Sequence, residues 1–225
     1  TCVYKCVDNS EFSSKNNTSF DIVDGRIVNV HYEGSNIVKD RHNVSTNVFV
    51  MKKTLLQNIV MDSISHNKHH FMADIIGANL QSMKIMAFEH EGFYAGITSL
   101  QAYYDSSMKM LNADIRKEVF GDRSVFTKIR DSAPTKYGNS SIVKNSMIAD
   151  GCIIEGEVEN SIIFRNVKVA RGAVVKNSII MQNTVLGENS SLNCIITDKN
   201  VVIRDKKVLS GSENHPFYVG KGIMI

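Results

Sequence analysis

Residues 143–197 read VKNSMIADGCIIEGEVENSIIFRNVKVARGAVVKNSIIMQNTVLGENSSLNCIIT, and one short motif occurs in them four times. The copies are VKNSMIA from Val143, VENSIIF from Val158, VKNSIIM from Val175 and the weaker SLNCIIT from Ser191, at steps of 15, 17 and 16 residues. A triangular parallel coil explains such a step, because aliphatic side chains fill its interior while small or left-handed residues turn its corners. The repeat therefore predicts a left-handed parallel β-helix of hexapeptide repeats.

A second motif lies between these copies and supports the same fold. It combines an aliphatic residue with small residues and Gly or Asn, and it occurs as IADGCI from Ile148, VARGAV from Val169 and LGENSS from Leu186. Stacked coils would also bring four asparagines into register as a ladder of amide hydrogen bonds: Asn145, Asn160, Asn177 and Asn193. An antiparallel sandwich of valine-rich strands is the alternative, but it does not explain the nearly constant step.

Length and composition restrict the class of protein. The chain has 225 residues and a mass of 25.1 kDa, which is enough for one or two domains. Its formal charge of +3 is too small and too evenly spread to indicate nucleic acid or a membrane surface as a partner. Four cysteines without a disulfide or zinc framework favour the cytoplasm. The opening TCVYKCV reads as a strand already under way, so we expect an N-terminally truncated chain.

The residues before the repeat alternate between strand and helix patterns. The predicted elements are a hairpin over 18–33 around Asp24-Gly25, a strand over 46–51, a helix over 53–65, a short helix from His69 to about Gly77, strands over 84–88 and 92–97, and a helix capped by Thr98 whose apolar face includes Tyr104 and Met108. This alternation predicts a partial α/β domain over 1–111. A linker over 112–138 and the β-helix with a C-terminal tail over 139–225 follow it.

Hexapeptide β-helices serve as acyltransferases, as platforms for assembly, or as domains appended to sugar nucleotidyltransferases. Acyl transfer in such a fold uses a histidine at the groove between coils. No histidine occurs between Gly138 and Ile203, which argues against that class.

Two long segments, 131–164 and 174–203, resemble the C-terminal domain of bacterial glucose-1-phosphate adenylyltransferases, most closely the regulatory-type subunit (glycogen biosynthesis protein D). The resemblance implies the C-terminal half of a Rossmann-like nucleotidyltransferase domain, a linker helix and a left-handed β-helix. It also implies a cytoplasmic tetramer that makes ADP-glucose from ATP and glucose 1-phosphate with magnesium. The Gly-rich phosphate loop and the first metal aspartate of that family are not in this sequence. We therefore expect no cofactor and no metal site in this fragment, although the holoenzyme would need ATP and magnesium.

The sugar-phosphate pocket of the family is only partly retained. The resemblance places Glu33, Ser45 and Asp74 at substrate-binding positions. It places Gly34 where a phosphate-binding lysine is expected, and Gly96 where a metal-binding aspartate is expected. The three retained residues are either sugar contacts or structural relics, with Ser45 ending a strand and Asp74 capping or solvating a helix. No catalytic residue is assigned.

The resemblance also implies an effector site for sugar phosphates or anions beside the β-helix. The candidates are Lys136, Arg165, Lys168, Arg171 and Lys199. Ordinary solvated surface is the alternative for these five cations. His66 and His70, one helical turn apart, have the spacing of metal ligands but no third partner, so we interpret them as a solvated helix end.

These observations predict a regulatory, catalytically weak or inactive subunit of glucose-1-phosphate adenylyltransferase in glycogen biosynthesis. It would act by hetero-oligomerisation with a catalytic subunit, and this chain alone would be inactive. A purely structural oligomerisation module without an effector site is the first alternative. A working transferase with a different substrate pocket is the second.

Overall fold

The structure is a computed structural model that describes residues 1–9, 17–33, 39–121, 125–127 and 131–225. The chain forms two compact units, Thr1–Tyr94 and Ala95–Ile225. Within the described residues, none of the helices has the length and apolar character needed to span a bilayer.

The first unit is built on a five-stranded sheet. Its strands are β1 (Cys2–Asp8), β2 (Ser19–Val23), β3 (Arg26–His31), β4 (Arg41–Phe49) and β5 (Ala87–Glu89). They lie in the order β3-β2-β4-β1-β5, with β1 and β5 parallel and the other pairs antiparallel. The predicted hairpin is confirmed: Asp24 and Gly25 both have positive φ, 50° and 72°, as a two-residue turn requires.

The helical elements of the first unit follow the sequence pattern only in part. Helix α1 (Lys53–Ser65) occupies the predicted range, but none of its residues is buried. The short helix predicted from His69 is a π-helical turn, Phe71–Ile76, followed by a 3-10 turn, Gly77–Asn79. The prediction of a strand over 92–97 is wrong. At the start of this segment, the carbonyl oxygens of Glu91 and Gly92 instead accept hydrogen bonds from Nζ of Lys5, at 2.7 and 2.9 Å.

The second unit begins with two helices, α2 (Leu100–Lys109) and α3 (Ala113–Phe120). Ser99, and not Thr98, caps α2, since its hydroxyl accepts a hydrogen bond from the backbone N–H of Ala102. The strands that follow are β6 (Lys136–Tyr137), β7 (Ile142–Lys144), β8 (Met147–Ile148), β9 (Ile153–Ile154), β10 (Glu157–Glu159), β11 (Ile162–Ile163), β12 (Lys168–Val169), β13 (Val174–Lys176), β14 (Ile179–Ile180), β15 (Val185–Leu186), β16 (Ser191–Asn193), β17 (Ile195–Thr197), β18 (Val202–Ile203), β19 (Val208–Ser210) and β20 (Phe217–Val219).

These short strands form three parallel sheets of five strands each in the described residues. The orders are β18-β15-β12-β9-β6, β19-β16-β13-β10-β7 and β20-β17-β14-β11-β8, so each coil adds one strand to every sheet. The interior of the prism is a single apolar core of stacked aliphatic side chains that includes Ile154, Val158, Ile163, Val175, Ile180 and Leu192. The predicted parallel β-helix of hexapeptide repeats after an α/β region is confirmed.

The amide ladder is confirmed, with one change of register. Nδ2 of Asn145 donates to Oδ1 of Asn160 at 2.9 Å, Asn160 to Asn177 at 2.7 Å, and Asn177 to Asn193 at 3.0 Å. In the backbone, however, Leu192 pairs with Val175 and Ile196 with Ile179, so the last step is 17 residues and not 16.

The corrected register has a physical cause. A slip of one residue exchanges the interior and exterior faces of a strand. In the observed register Leu192 points into the core and is 1% exposed. Cys194 then takes the left-handed corner position, with φ 54°. Asn193, one residue before that corner, still accepts the ladder hydrogen bond from Asn177.

Candidate functional site

A second amide ladder runs along one corner of the β-helix. This ladder was not predicted from the sequence. Nδ2 of Asn166 donates to Oδ1 of Asn183 at 3.2 Å, and Asn183 donates to Asn200 at 3.0 Å. All three residues are left-handed, with φ of 59°, 60° and 60°. Their common step of 17 residues, in FRN, MQN and DKN, is the sequence signal that could have revealed them.

The residue before each ladder asparagine forms a second column along this corner. The backbone N–H of Asn166 donates to the carbonyl of Asp150, Asn183 to Arg165, Asn200 to Gln182, and Gly222 to Lys199, at 3.0 to 3.2 Å. The rungs of this column are therefore Asp150, Arg165, Gln182, Lys199 and Lys221. We call the two columns together the amide corner.

The predicted anion-binding residues fall mainly on or beside the amide corner. Arg165 and Lys199 lie in it two rungs apart, about 10 Å for a strand spacing near 4.8 Å. Lys168 begins β12, immediately after the corner, and Lys136 lies two strands away from it in the same sheet, with Ile153 between them. Arg171 is separated from these four, because it follows β12 at the next corner, where Glu188 occupies the neighbouring rung.

The cations of this region form no ion pair within the described part of the chain. Lys136, Lys168 and Lys199 are exposed, and Arg165 is half-buried. Nε of Arg165 is buried without a hydrogen-bond partner. A buried donor without an acceptor is costly, but an atom that water does not reach is also out of reach of an oxyanion, so this Nε does not by itself indicate a ligand. The unpaired cations at this corner agree with both interpretations, an anion site and a solvated surface.

The predicted sugar-phosphate residues all lie in the first unit. Glu33 is exposed just after β3, and Ser45 lies within β4 and is 6% exposed. Ser19 of β2 pairs with the end of β3 and also with β4, at the residue before Ser45. Glu33 and Ser45 therefore lie at the same end of the sheet. Gly34 lies outside the described residues. Ser45 does not end its strand, as its relic interpretation supposed, and its hydroxyl accepts a hydrogen bond from the N–H of Asn47 at 3.2 Å.

Asp74 is engaged with its own helical turn. Its Oδ2 accepts hydrogen bonds from the backbone N–H groups of His70 and His69, both at 2.9 Å. These two bonds lower the pKa of the Asp74 carboxyl below its usual value. Among the described residues, no hydrogen bond joins Asp74 to Glu33 or Ser45. The carboxylate reaches back from the first turn to the N–H groups that precede its helical segment, as an acidic side chain does in a capping box.

The histidine side chains that follow α1 also contact residues close to them in the sequence. Nδ1 of His66 lies 2.9 Å from Oδ1 of Asp62, and Nε2 of His69 lies 2.9 Å from Oδ1 of Asn67. Nothing in the described chain gathers three or more His, Cys, Asp or Glu side chains around one point where a metal could bind.

The repeat geometry defines residues 136–219 of the second unit as a hexapeptide-repeat β-helix. Residues 132–215 match the family of GlmU-like C-terminal hexapeptide domains. The resemblance noted in the sequence is confirmed over most of the chain. This chain is 39% identical over 209 residues to the glycogen biosynthesis protein GlgD of Geobacillus stearothermophilus. The aligned region covers 92% of this chain and 60% of that protein.

Two further relatives agree with this one. The chain is 33% identical over 181 residues to GlgD of Bacillus subtilis (80% of this chain, 52% of that protein). It is 31% identical over 170 residues to the glucose-1-phosphate adenylyltransferase of Acetivibrio thermocellus (74% and 39%). The chain thus spans between half and two-thirds of the length of the GlgD proteins it matches.

Proposed function

We propose that this protein acts in glycogen biosynthesis as a regulatory, catalytically weak or inactive subunit that assembles with a catalytic glucose-1-phosphate adenylyltransferase. Its relatives named GlgD support a glycogen role, and its relatives named adenylyltransferase support a nucleotidyltransferase type. The observation that carries the regulatory part is Gly96, which stands where the resemblance implies a metal-binding carboxylate. Phosphoryl transfer needs such a carboxylate to hold the metal.

The remaining residues of the pocket give a second argument that catalysis by this protein is weak. The Ser45 hydroxyl and the Asp74 carboxylate are both occupied by backbone N–H groups of their own segments. Gly34 offers no cation at the position where the resemblance implies a phosphate-binding lysine. We infer that a sugar phosphate finds little binding energy there, and that the protein works through its partner.

The proposed regulatory signal is a sugar phosphate or another anion that binds near Arg165, Lys168 and Lys199. These cations form no ion pair in the described residues, and Arg165 and Lys199 lie two rungs apart in one column. Arg171, on a separate corner beside Glu188, serves as the internal control.

The test is ADP-glucose synthesis by the natural full-length protein, alone and mixed with a catalytic subunit, with and without sugar phosphates. We expect no turnover alone and an altered rate or activation in the mixture. Neutralising Arg165, Lys168 and Lys199 to Gln should remove the activation, while Arg171→Gln should keep it. Turnover by the protein alone would refute the regulatory role. Unchanged activation in the triple variant would favour the structural oligomerisation module instead.

A further inference from the structure

Helix α1 of the first unit leaves an apolar face exposed. None of its residues is buried, and five large apolar side chains on it are 39% to 75% exposed: Leu55, Leu56, Val60, Met61 and Ile64. A helix of 13 residues is marginal in water by itself and gains most of its stability from packing. A contiguous apolar surface of this kind marks a site of interaction with another molecule.

This face of α1 lines an open groove, which we call the α1 groove. The residues that α1 contributes recur at the spacing of one helix face: Leu56, Ile59, Val60, Ser63 and Ile64. The π-helical turn contributes Phe71 and Ile75, and residues 67–69, which follow α1, line the groove at its C-terminal end. All these elements belong to the first unit.

The polar side chains that line the α1 groove are already engaged. The hydroxyl of Ser63 donates at 2.7 Å to a carbonyl one turn before it. Nζ of Lys68 donates to Oδ2 of Asp62 at 2.6 Å, and His69 contacts Oδ1 of Asn67 at 2.9 Å. A small-molecule site needs a few polar groups that can orient the ligand. The groove therefore suits the apolar side chains of another helix better than it suits a small polar ligand.

The N-terminal end of α1 carries two lysines without a counter-charge. Lys53 lies seven residues before Val60, so the two share one side of the helix. Lys52 and Lys53 are exposed, and neither forms an ion pair with a described residue. The first turn of α1 contains no acidic residue. Acidic side chains on the occupant of the groove would offset this charge.

Two other occupants match the α1 groove less well. In a symmetric pair of copies with antiparallel helices, the two lysines of one copy would face the C-terminal end of the other α1. The carboxylate there, Asp62, is already paired with Lys68 and His66, so a second copy supplies no counter-charge. A single acyl chain would stay open to water, since Val60 and Ile64 are 47% and 75% exposed, whereas ligand sites bury most of the ligand.

We propose that the α1 groove binds an amphipathic helix of a partner protein, which carries acidic residues at the end that lies beside Lys52 and Lys53. Apolar side chains of that helix at i, i+3, i+4 and i+7 fill the groove, and its acidic residues pair with the two lysines. The site lies in the first unit and goes beyond the proposed function, because it does not depend on an anion at the β-helix or on ADP-glucose synthesis.

The probe that tests the proposal is a synthetic helical peptide of about four turns, with leucines at this spacing and glutamates at one end. Matched peptides carry serine in place of the leucines or glutamine in place of the glutamates. Fluorescence anisotropy measures their binding to the 225-residue chain. We expect saturable binding that the serine peptide loses and that the glutamine peptide keeps about threefold more weakly.

Variants of α1 assign the binding to the groove. Ile64→Glu places a charge in the groove at a residue exposed enough to tolerate it, and it should weaken binding about tenfold or more. Met61→Glu, the same charge on an exposed residue of α1 outside the groove, is the control and should leave binding unchanged. Lys52→Gln/Lys53→Gln should weaken binding of the glutamate peptide about threefold and leave that of the glutamine peptide unchanged.

Four results would overturn the proposal. The first is the absence of saturable binding, or equal binding of the leucine and serine peptides. The second is equal binding in Ile64→Glu and Met61→Glu. The third is self-association of the parent chain in sedimentation that Ile64→Glu abolishes, or tight binding of dodecanoate in place of the peptide, because a second copy or an acyl chain would then fill the groove. The fourth is an Ile64→Cys thiol that reacts with maleimide in this chain but not in the natural full-length protein, since the groove would then be filled from within.

Discussion

The hydroxyl group of Tyr104 donates a hydrogen bond of 2.7 Å to the carbonyl oxygen of Asn177, which ties helix α2 to a corner of the β-helix. The ring of Tyr104 is 4% exposed and covers Ile179 and Ile196 on the outer face of the sheet, which are fully buried. Burial and the neighbouring Cys194 raise the pKa of the Tyr104 hydroxyl, so it remains a donor at neutral pH. Helix α2 is therefore part of the fold of the second unit.

Removing this one hydroxyl should destabilise the second unit measurably. We expect Tyr104→Phe to lower the free energy of unfolding by about 1 kcal/mol, since the carbonyl of Asn177 loses its partner while the ring remains. Tyr104→Ala should cost about 3–5 kcal/mol, because it also uncovers the two isoleucines. Urea denaturation followed by circular dichroism measures both. Tyr137→Phe, on an exposed tyrosine, is the control and should change little.

The ladder asparagines combine two roles that substitutions can separate. Asn177 accepts a bond from Asn160 and donates one to Asn193, and its φ is 48°. We expect Asn177→Gly to cost about 1–2 kcal/mol through the lost amide bonds. Asn177→Ala should cost about 1 kcal/mol more, because a Cβ without a local hydrogen bond is strained in the left-handed region. Equal stability of the two variants in denaturant would show that the conformation contributes nothing.

The register of the fourth coil can be tested by the two residues at its first strand. Leu192 is in the core, whereas Ser191 faces outwards and pairs with Val174. We expect Leu192→Ala to lower the free energy of unfolding by about 2–5 kcal/mol, and Ser191→Ala to change it by less than about 0.5 kcal/mol. The register predicted from the sequence would place Ser191 inside and Leu192 outside. A larger effect at Ser191 would therefore contradict the structure.

Periodicity explains why the β-helix was predictable and where the prediction stopped. Three copies share V-x-N-S-x-I, and this fixes their alignment. The fourth has only Asn193 in common with them at the corner, and aligning on that asparagine moved the strand by one residue. The structure instead aligns the buried aliphatics and lets Cys194 turn the corner. Core burial decides the register because an exposed leucine costs more than a displaced amide.

The candidate sites were less visible in the sequence. The second ladder has only asparagine in common between FRN, MQN and DKN, and the place of Gly222 in the same corner is evident only from its backbone hydrogen bond to the carbonyl of Lys199. Likewise, the apolar face of α2 was evident from its spacing, but Tyr104 on that face contacts Ile179 and Ile196, which lie 75 and 92 positions further along the chain. Long-range juxtaposition of this kind is a property of the packed fold and not of any local pattern.

A charge cluster formed by the hairpin of the first unit and Lys39, which precedes β4, should have an effect on stability that depends on pH. Oδ2 of Asp21 lies 2.8 Å from Nε2 of His31, Oδ1 accepts from Nζ of Lys39, and Asn29 donates at 3.3 Å. Partial burial raises the pKa of the Asp21 carboxyl, but the hydrogen bonds from Lys39, His31 and Asn29 outweigh it, and the pKa lies below its usual value. The ionised carboxylate is thus bound more tightly in the folded state than in the unfolded chain.

A depressed pKa fixes the sign of the pH dependence. The stabilisation by Asp21 is fully present above the pKa of the unfolded chain, about 3.9, and is lost as the pH falls through the lower folded value. We expect Asp21→Asn to be less stable than the parent by about 0.5 kcal/mol at pH 7, since solvent screens a partly exposed pair. The difference should shrink below pH 4, as measured by urea denaturation from pH 7 to pH 2.5. Asp24→Asn, at the exposed turn of the same hairpin, removes an equal charge that forms no ion pair with any described residue, and it should show no such difference. A deficit in Asp21→Asn that stays constant at every pH would mean that the side-chain shape, and not its charge, stabilises the hairpin.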